Sequence, residues 1–179
     1  MSDRGKFTHE ILISESQIAA RVKELGRQIT EDYKGKSLLL VGILKGSVPF
    51  MADLMRQIDL DVTLEFMCVS SYGSSTKSSG VVRIVKDLDV PIQGRDVMIV
   101  EDIIDTGLTL DYLKGYLNGK QPASLKICAF LDKPSRRRVQ IEGDYIGFTV
   151  EDKYIVGYGL DMDQHYRQLP YISWIKPEV

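Results

Sequence analysis

The chain has little of what many functional sites are built from. Its 179 residues hold two cysteines, Cys68 and Cys128, far apart and without C-x-x-C spacing. That excludes a disulfide framework and points to reduced, buried thiols. The two histidines, His9 and His165, cannot supply H-x-x-x-H spacing, so a zinc site of Cys and His is not expected. Neither sign of charge dominates: 23 Lys and Arg stand against 25 Asp and Glu, a formal net charge of −2. There is no global basic field to draw nucleic acid. The longest apolar runs are strand-sized, too short to span a membrane. The opening "MSDRGKFTHE" is polar and lacks the apolar core of a signal peptide. These absences predict a cytoplasmic, soluble chain with neither membrane nor nucleic acid among its partners. Its length suits one domain with a substantial core.

What is present is an alternation of two periods. "SESQIAARVKELGRQITEDY" (14–33) carries Ile18, Val22, Leu25, Ile29 and Tyr33 at steps of three and four, and Ser14 with Gln17 forms a capping box. This predicts an amphipathic helix. "SLLLVGIL" (37–44) is a continuous apolar run, as for a strand covered on both faces. A turn at Lys45–Gly46 leads into "SVPFMADLMRQI", where Ser47 can cap, Pro49 fits the first turn, and Phe50, Leu54 and Ile58 share a face. Further strands are read at 61–69, 81–85, 96–100 and 124–131, with a helix over 107–118. The pattern predicts an α/β fold with an open, mostly parallel sheet.

In such sheets ligands bind outside the carboxyl ends of the strands. That rule gathers three segments on one rim: Lys45–Gly46, Glu101–Thr109 and Asp132–Lys133. The middle one belongs to "VMIVEDIIDTGLTL" (97–110), which puts three carboxylates within five residues at the mouth of an apolar strand. Gly107 permits a tight turn. The following helix offers unpaired N–H groups to an anion, and Thr106 and Thr109 add hydroxyls. This is a cradle for one phosphate, and it is neither a Walker loop nor G-x-G-x-x-G. Glu101 and Asp102, one step upstream, suit neutral diols or magnesium. A phosphate cradle beside a diol-binding acid pair describes a ribose 5-phosphate site. Taken singly, Asp105 reads as a helix cap, Lys45 as a solvated loop lysine, Arg167 as a surface ion pair, Tyr154 and Tyr158 as core aromatics, and "KPSRRR" (133–138) as a solvated basic turn.

The segment "VMIVEDIIDTGLTL" resembles the phosphoribosyl pyrophosphate signature of type I phosphoribosyltransferases. Its Glu-Asp pair followed by "DIIDTG" resembles the hypoxanthine–guanine branch. "GILKGSVPFMADL", "SSYGSSTKSSG", "DLD", "LDKPSRR" and "VGYGLDMDQHYRQLPYI" agree in the same order, so the likeness covers nearly the whole chain. The resemblance implies the type I fold: a mostly parallel twisted sheet flanked by helices, within one domain over 1–179. Its core would span about 36–150, with a small hood from about 1–35 plus 151–179. It implies magnesium-dependent transfer of the phosphoribosyl group from phosphoribosyl pyrophosphate to hypoxanthine or guanine, giving IMP or GMP and pyrophosphate. It also implies a homodimer or homotetramer. A sibling activity on xanthine, or a nucleotide-sensing regulator that grips RNA or DNA, is the alternative.

Roles carry over by position. Glu101 and Asp102 would hold the ribose hydroxyls, in part through magnesium. Asp105 would be the general base or acid near purine nitrogen 7. Asp105, Thr106, Gly107, Leu108 and Thr109 would hold the 5-phosphate. Many relatives carry a basic or polar residue in place of Leu108, which leaves this cradle to backbone and hydroxyls. Lys45 and Gly46 match the pyrophosphate loop, which often contains a non-proline cis peptide, and Arg167 resembles a pyrophosphate contact. Ser71 and Tyr72, in a stretch with six serines and two glycines (70–80), would form a lid, since an oxocarbenium-like centre must be shielded from water. Lys133 would donate to the 6-oxo group of the purine, Tyr154 would stack on the base, and Ile155 and Asp161 would reach its 2-position through their backbone. Asp161 would also ligate a second magnesium.

Overall fold

In a computed structural model, which describes residues 7–71 and 82–177, the chain forms two sheets. The larger has six strands: β2 (Leu38–Leu44), β3 (Val62–Ser71), β4 (Val82–Lys86), β5 (Asp96–Ile104), β6 (Ser124–Asp132) and β7 (Tyr145–Thr149). Their order is β4-β3-β2-β5-β6-β7. All neighbours run parallel except β3 and β4. The smaller sheet is β1 (Phe7–Ile13), β9 (Ile172–Pro177) and β8 (Ile155–Val156), in the order β1-β9-β8 and antiparallel. Tyr72 and the rest of the expected lid through residue 80 lie outside the described residues; Ser71 ends β3. No helix among the described residues is long and apolar enough to cross a membrane.

Helix α1 (Glu15–Asp32) forms as the spacing predicts. The Gln17 N–H donates to Ser14 Oγ at 3.3 Å and the Ser14 N–H donates to Gln17 Oε1 at 2.9 Å, closing the capping box. Helix α2 (Val48–Met55) starts differently from expectation. Ser47 does not cap it: its hydroxyl turns back and donates to the Ile43 carbonyl at 2.7 Å. The side chain is fully buried, so its hydroxyl takes a local backbone carbonyl, one that also accepts from the Ser47 N–H at 3.4 Å.

Period-two alternation sorts the strands onto two apolar layers. Leu38, Leu40, Met98, Val100, Cys128 and Phe130 pack with α1 and α2. Leu39, Val41, Ile43, Val97, Ile99, Ile127 and Ala129 pack with Leu110, Leu113 and Leu117 of α3 (Leu108–Asn118). The first layer is continuous with Ile155, Tyr158, Leu160 and Ile172, so the large sheet and the C-terminal segment share one core. Cys128 is buried, Cys68 is half-buried, and both are free thiols.

β5 runs farther than the apolar run alone suggests. Glu101, Ile103 and Ile104 stay paired with Ala129, Leu131 and Asp132 of β6. The acid pair therefore sits inside the ladder, at the end of a central strand. β2 leads to β3 on one side and β5 to β6 on the other, so the crevice between the ends of β2 and β5 is the topological switch point.

Candidate active site

Four chain segments meet at that crevice. The first is the turn after β2, where the Leu44–Lys45 peptide is cis. Gly46 is buried there against Asp102: a Cβ at this position would overlap the Asp102 carboxylate. The turn thus approaches the acid pair as closely as a backbone can.

The second segment is the end of β5. Glu101 is buried, 9% exposed. The Asp102 N–H donates to Glu101 Oε1 at 3.1 Å and the Ile103 N–H to Asp102 Oδ1 at 2.8 Å. Burial first, then the neighbouring charge of Asp102, pushes the Glu101 carboxyl well above the usual carboxylate range. Burial raises Asp102 as well, against its hydrogen bonds with Glu101 and the Ile103 N–H and the weaker pull of the Arg167 guanidinium. Two carboxylates held this way favour a proton, a cation or hydroxyl donors.

The loop after β5 is the third. Gly107 precedes α3 with φ of 81° and takes the cap position, so Asp105 is not the cap of that helix. Asp105 instead pairs with Arg136, Oδ1 to Nε at 3.1 Å, with about 41% of its side chain exposed. Leu108, Thr109 and the half-buried Thr106 surround the α3 N-terminus, and the Leu108 N–H reaches Thr106 Oγ1 at 3.5 Å.

The fourth is the C-terminal segment. The Arg167 guanidinium meets Asp161 at 2.8 Å and the Gly159 carbonyl at 2.7 Å. Its buried Nε has no hydrogen-bond partner among the described residues. A buried orphan donor beside the acid pair suits an anion. Gln164 joins this group, accepting from Lys45 Nζ at 3.3 Å and from Arg167 at 3.4 Å.

A cavity of about 390 Å³ adjoins these segments. Asp105, Lys133, Arg136, Tyr154, Ile155 and Asp161 line it. Lys133 is 8% exposed, and its ammonium donates to the Lys153 carbonyl at 2.7 Å. Tyr154 is exposed at the cavity wall, whereas Tyr158 is a core aromatic whose hydroxyl donates to Asp53 at 2.8 Å. A larger hollow of about 880 Å³ is lined by Asp132 and Arg137 together with Lys114, Glu142 and Asp144. It contains none of Glu101, Asp102, Asp105 and Asp161. We assign the site by its chemistry, because a wide polar hollow without converging reactive groups offers no reaction.

Every residue anticipated for the purine thus lines one cavity. Glu101, Asp102 and Asp161 do not form a single metal cage: among the described residues no three acidic, His or Cys side chains converge so. The Asp161 carboxylate is turned to Arg167 and to the Gln164 N–H, at 2.8 Å each. Sequence reasoning missed Gln164, Arg136 and Arg137. The three arginines after Lys133 were a visible signal, but they resemble a solvated turn until their partners are known.

A family model described as the phosphoribosyl transferase domain matches residues 10–163. The hypoxanthine-guanine phosphoribosyltransferase of Bacillus subtilis is 52% identical over 170 residues, covering 95% of this chain and 94% of the relative. The bifunctional protein TilS/HprT of Listeria monocytogenes is 49% identical over 170 residues, and there the chain spans only 26% of the relative's length. A crystal structure of a hypoxanthine phosphoribosyltransferase from Staphylococcus aureus superposes with a TM-score of 0.91 at 49% identity, covering 94% of this chain and 91% of that one.

Proposed function

The chain belongs to the phosphoribosyl transferase family, and on that premise we propose that it is a purine-salvage enzyme acting on 6-oxopurines. The reaction joins hypoxanthine or guanine to the ribosyl carbon of phosphoribosyl pyrophosphate. A bond forms from purine nitrogen 9 to C1′ while the bond from C1′ to pyrophosphate oxygen breaks, giving IMP or GMP and pyrophosphate. The observation that carries this reading is the single cavity lined by Asp105, Lys133, Tyr154, Ile155 and Asp161, next to the loop 105–109.

Each role follows from chemistry. The amides and hydroxyls of Asp105–Thr109 receive the 5-phosphate at the start of α3. Glu101 and Asp102 accept hydrogen bonds from the ribose hydroxyls. The Asp105 carboxylate takes the proton that the purine must lose as nitrogen 9 becomes nucleophilic. Lys133, a donor, favours a 6-oxo group and rejects the 6-amino group of adenine. Tyr154 stacks on the base. Lys45, Gly46 and Arg167 receive the departing pyrophosphate; the unpaired Arg167 Nε supports this.

Magnesium fits the acid pair, since burial of both carboxyls, and the charge of Asp102 beside Glu101, make the pair receptive to a cation. Glu101 and Asp102 would hold one ion and Asp161 a second, with substrate oxygens and water completing each shell. Bound there, it would neutralise charge on the leaving pyrophosphate. We further take the enzyme to work in the cytoplasm, as a homodimer or homotetramer.

The test is an initial-rate panel with phosphoribosyl pyrophosphate and magnesium over hypoxanthine, guanine, xanthine and adenine. Turnover of hypoxanthine and guanine, with adenine refused, is the expected result. No pyrophosphate release with any of the four would overturn the proposal.

A further inference from the structure

The basic turn after β6 carries Arg137, whose guanidinium faces inward. One of its nitrogens donates to the carbonyls of Ile104 and Asp105, at 3.0 and 2.6 Å. The other is ion-paired with Asp132, and both side chains are only 17% exposed. Neighbouring backbone extends the pattern: the Lys133 N–H donates to the Ile104 carbonyl at 3.0 Å and the Arg138 N–H to the Thr106 carbonyl at 2.9 Å. Three consecutive carbonyls, those of Ile104, Asp105 and Thr106, are therefore all held from the 133–138 segment.

This fixes the direction of the amides. In a trans peptide the C=O and the following N–H point to opposite sides. Carbonyls 104, 105 and 106 turn toward Arg137 and Arg138, so the N–H groups of Asp105, Thr106 and Gly107 turn away from that segment. The Arg137 stem also packs under the loop: a Cβ on Gly107 would sit 3.1 Å from Arg137 Cδ and 2.5 Å from Ile141 Cγ2.

We infer that Arg137 is the positioning residue of the 5-phosphate cradle, clamping the Ile104 and Asp105 carbonyls so that the adjoining amides face the phosphate. The inference rests on the proposed function and adds to it a residue that touches no substrate. The planar guanidinium suits the task because it addresses two carbonyls and a carboxylate at once; a lysine, whose three donors share one nitrogen, would hold the loop less well. Because Lys133 stands four residues earlier, one short segment sets both the purine donor and the phosphate cradle.

The test compares inhibition constants of IMP and inosine, which differ only in the phosphate, for wild type, Arg137→Lys and Arg137→Met. A further variant pairs Arg137→Met with Asp132→Asn, so that no unpaired carboxylate is left buried. Arg137→Met is expected to weaken IMP by about ten- to a hundredfold, the usual span for loss of an outer orienting group, with inosine nearly unchanged. Arg137→Lys should fall between, and the double variant should keep the IMP-selective loss. If Arg137→Met does not fold, the double variant and Arg137→Lys read the same ratio. A wild-type preference for IMP that survives unchanged in the variants, whether both constants hold or both rise together, overturns the clamp alone. A wild type with no preference for IMP overturns the proposed function, and the clamp with it.

Discussion

Gly46 lies against Asp102 across the switch point, so closely that a single added methyl group would overlap the carboxylate. Gly46→Ala is therefore expected to push the acid pair and the β2 turn apart. Overpacking of this kind costs about 1–3 kcal/mol. If it falls on the bound transition state, kcat/KM for phosphoribosyl pyrophosphate drops about 10- to 100-fold. Steady-state kinetics measures it; an alanine variant with wild-type constants would show that the turn does not shape the site.

Asp105 carries the proposed proton transfer. Asp105→Asn keeps the shape and the loop but removes the base, and should lower kcat by about 10²–10⁴. Its partner Arg136, 3.1 Å away, does not take the proton, so Arg136→Met should cost less. Single-turnover rates separate chemistry from product release. An Asn variant with unaltered single-turnover rate would remove Asp105 from the chemistry.

Lys133 is buried, and its donor bond to the Lys153 carbonyl fixes where the ammonium sits. Replacing it by Met keeps most of the volume and deletes the donor. A hydrogen bond to a charged group contributes about 1.5–3 kcal/mol, so kcat/KM for hypoxanthine should fall roughly 10- to 100-fold. The adenine-to-hypoxanthine ratio should rise in the same assay. Equal losses on both bases would mean that Lys133 supports the cavity without reading the 6-position.

Alkaline stability follows from buried neutral groups, Tyr33 and three others. Burial raises the Cys128 thiol and, with donation to Asp32 and Asp53, the Tyr145 and Tyr158 hydroxyls. Such groups ionise more readily in the unfolded chain. Their contribution to stability is thus complete below the ordinary pKa, about 8.5 for Cys and about 10 for Tyr, and is lost as pH climbs from there toward the folded values. The melting temperature should fall steadily between about pH 8.5 and 11. Tyr158→Phe should flatten the part above about pH 10. A Tyr158→Phe curve parallel to wild type would exclude Tyr158 from the effect.

Much of the fold was legible because it is local. The capping box at Ser14 and Gln17, the apolar run 38–44 and the helix after Gly107 each declare themselves within a dozen residues. β1, β7, β8 and β9 did not. β8 is two residues long, and β1 pairs with β9 from the far end of the chain, so neither has a pattern of its own to read. Ser47 misled for a related reason: its position suits a cap, but burial gave its hydroxyl a different acceptor.

The order of chemistry-bearing residues was written in the chain: an acid pair, an acid, then Thr-Gly-Leu-Thr at the mouth of an apolar strand. From that order came the kind of ligand, a phosphorylated sugar, and the family. Only the tertiary structure decided how those groups are aimed. It released Asp105 from capping, turned Arg137 inward onto two carbonyls, seated Gly46 on Asp102 and set Gln164 between Lys45 and Arg167. Residue type sets what a group can donate or accept. Its direction depends on partners 30 or more positions away, here 31 from Asp105 to Arg136 and 119 from Lys45 to Gln164, and no local pattern encodes those meetings.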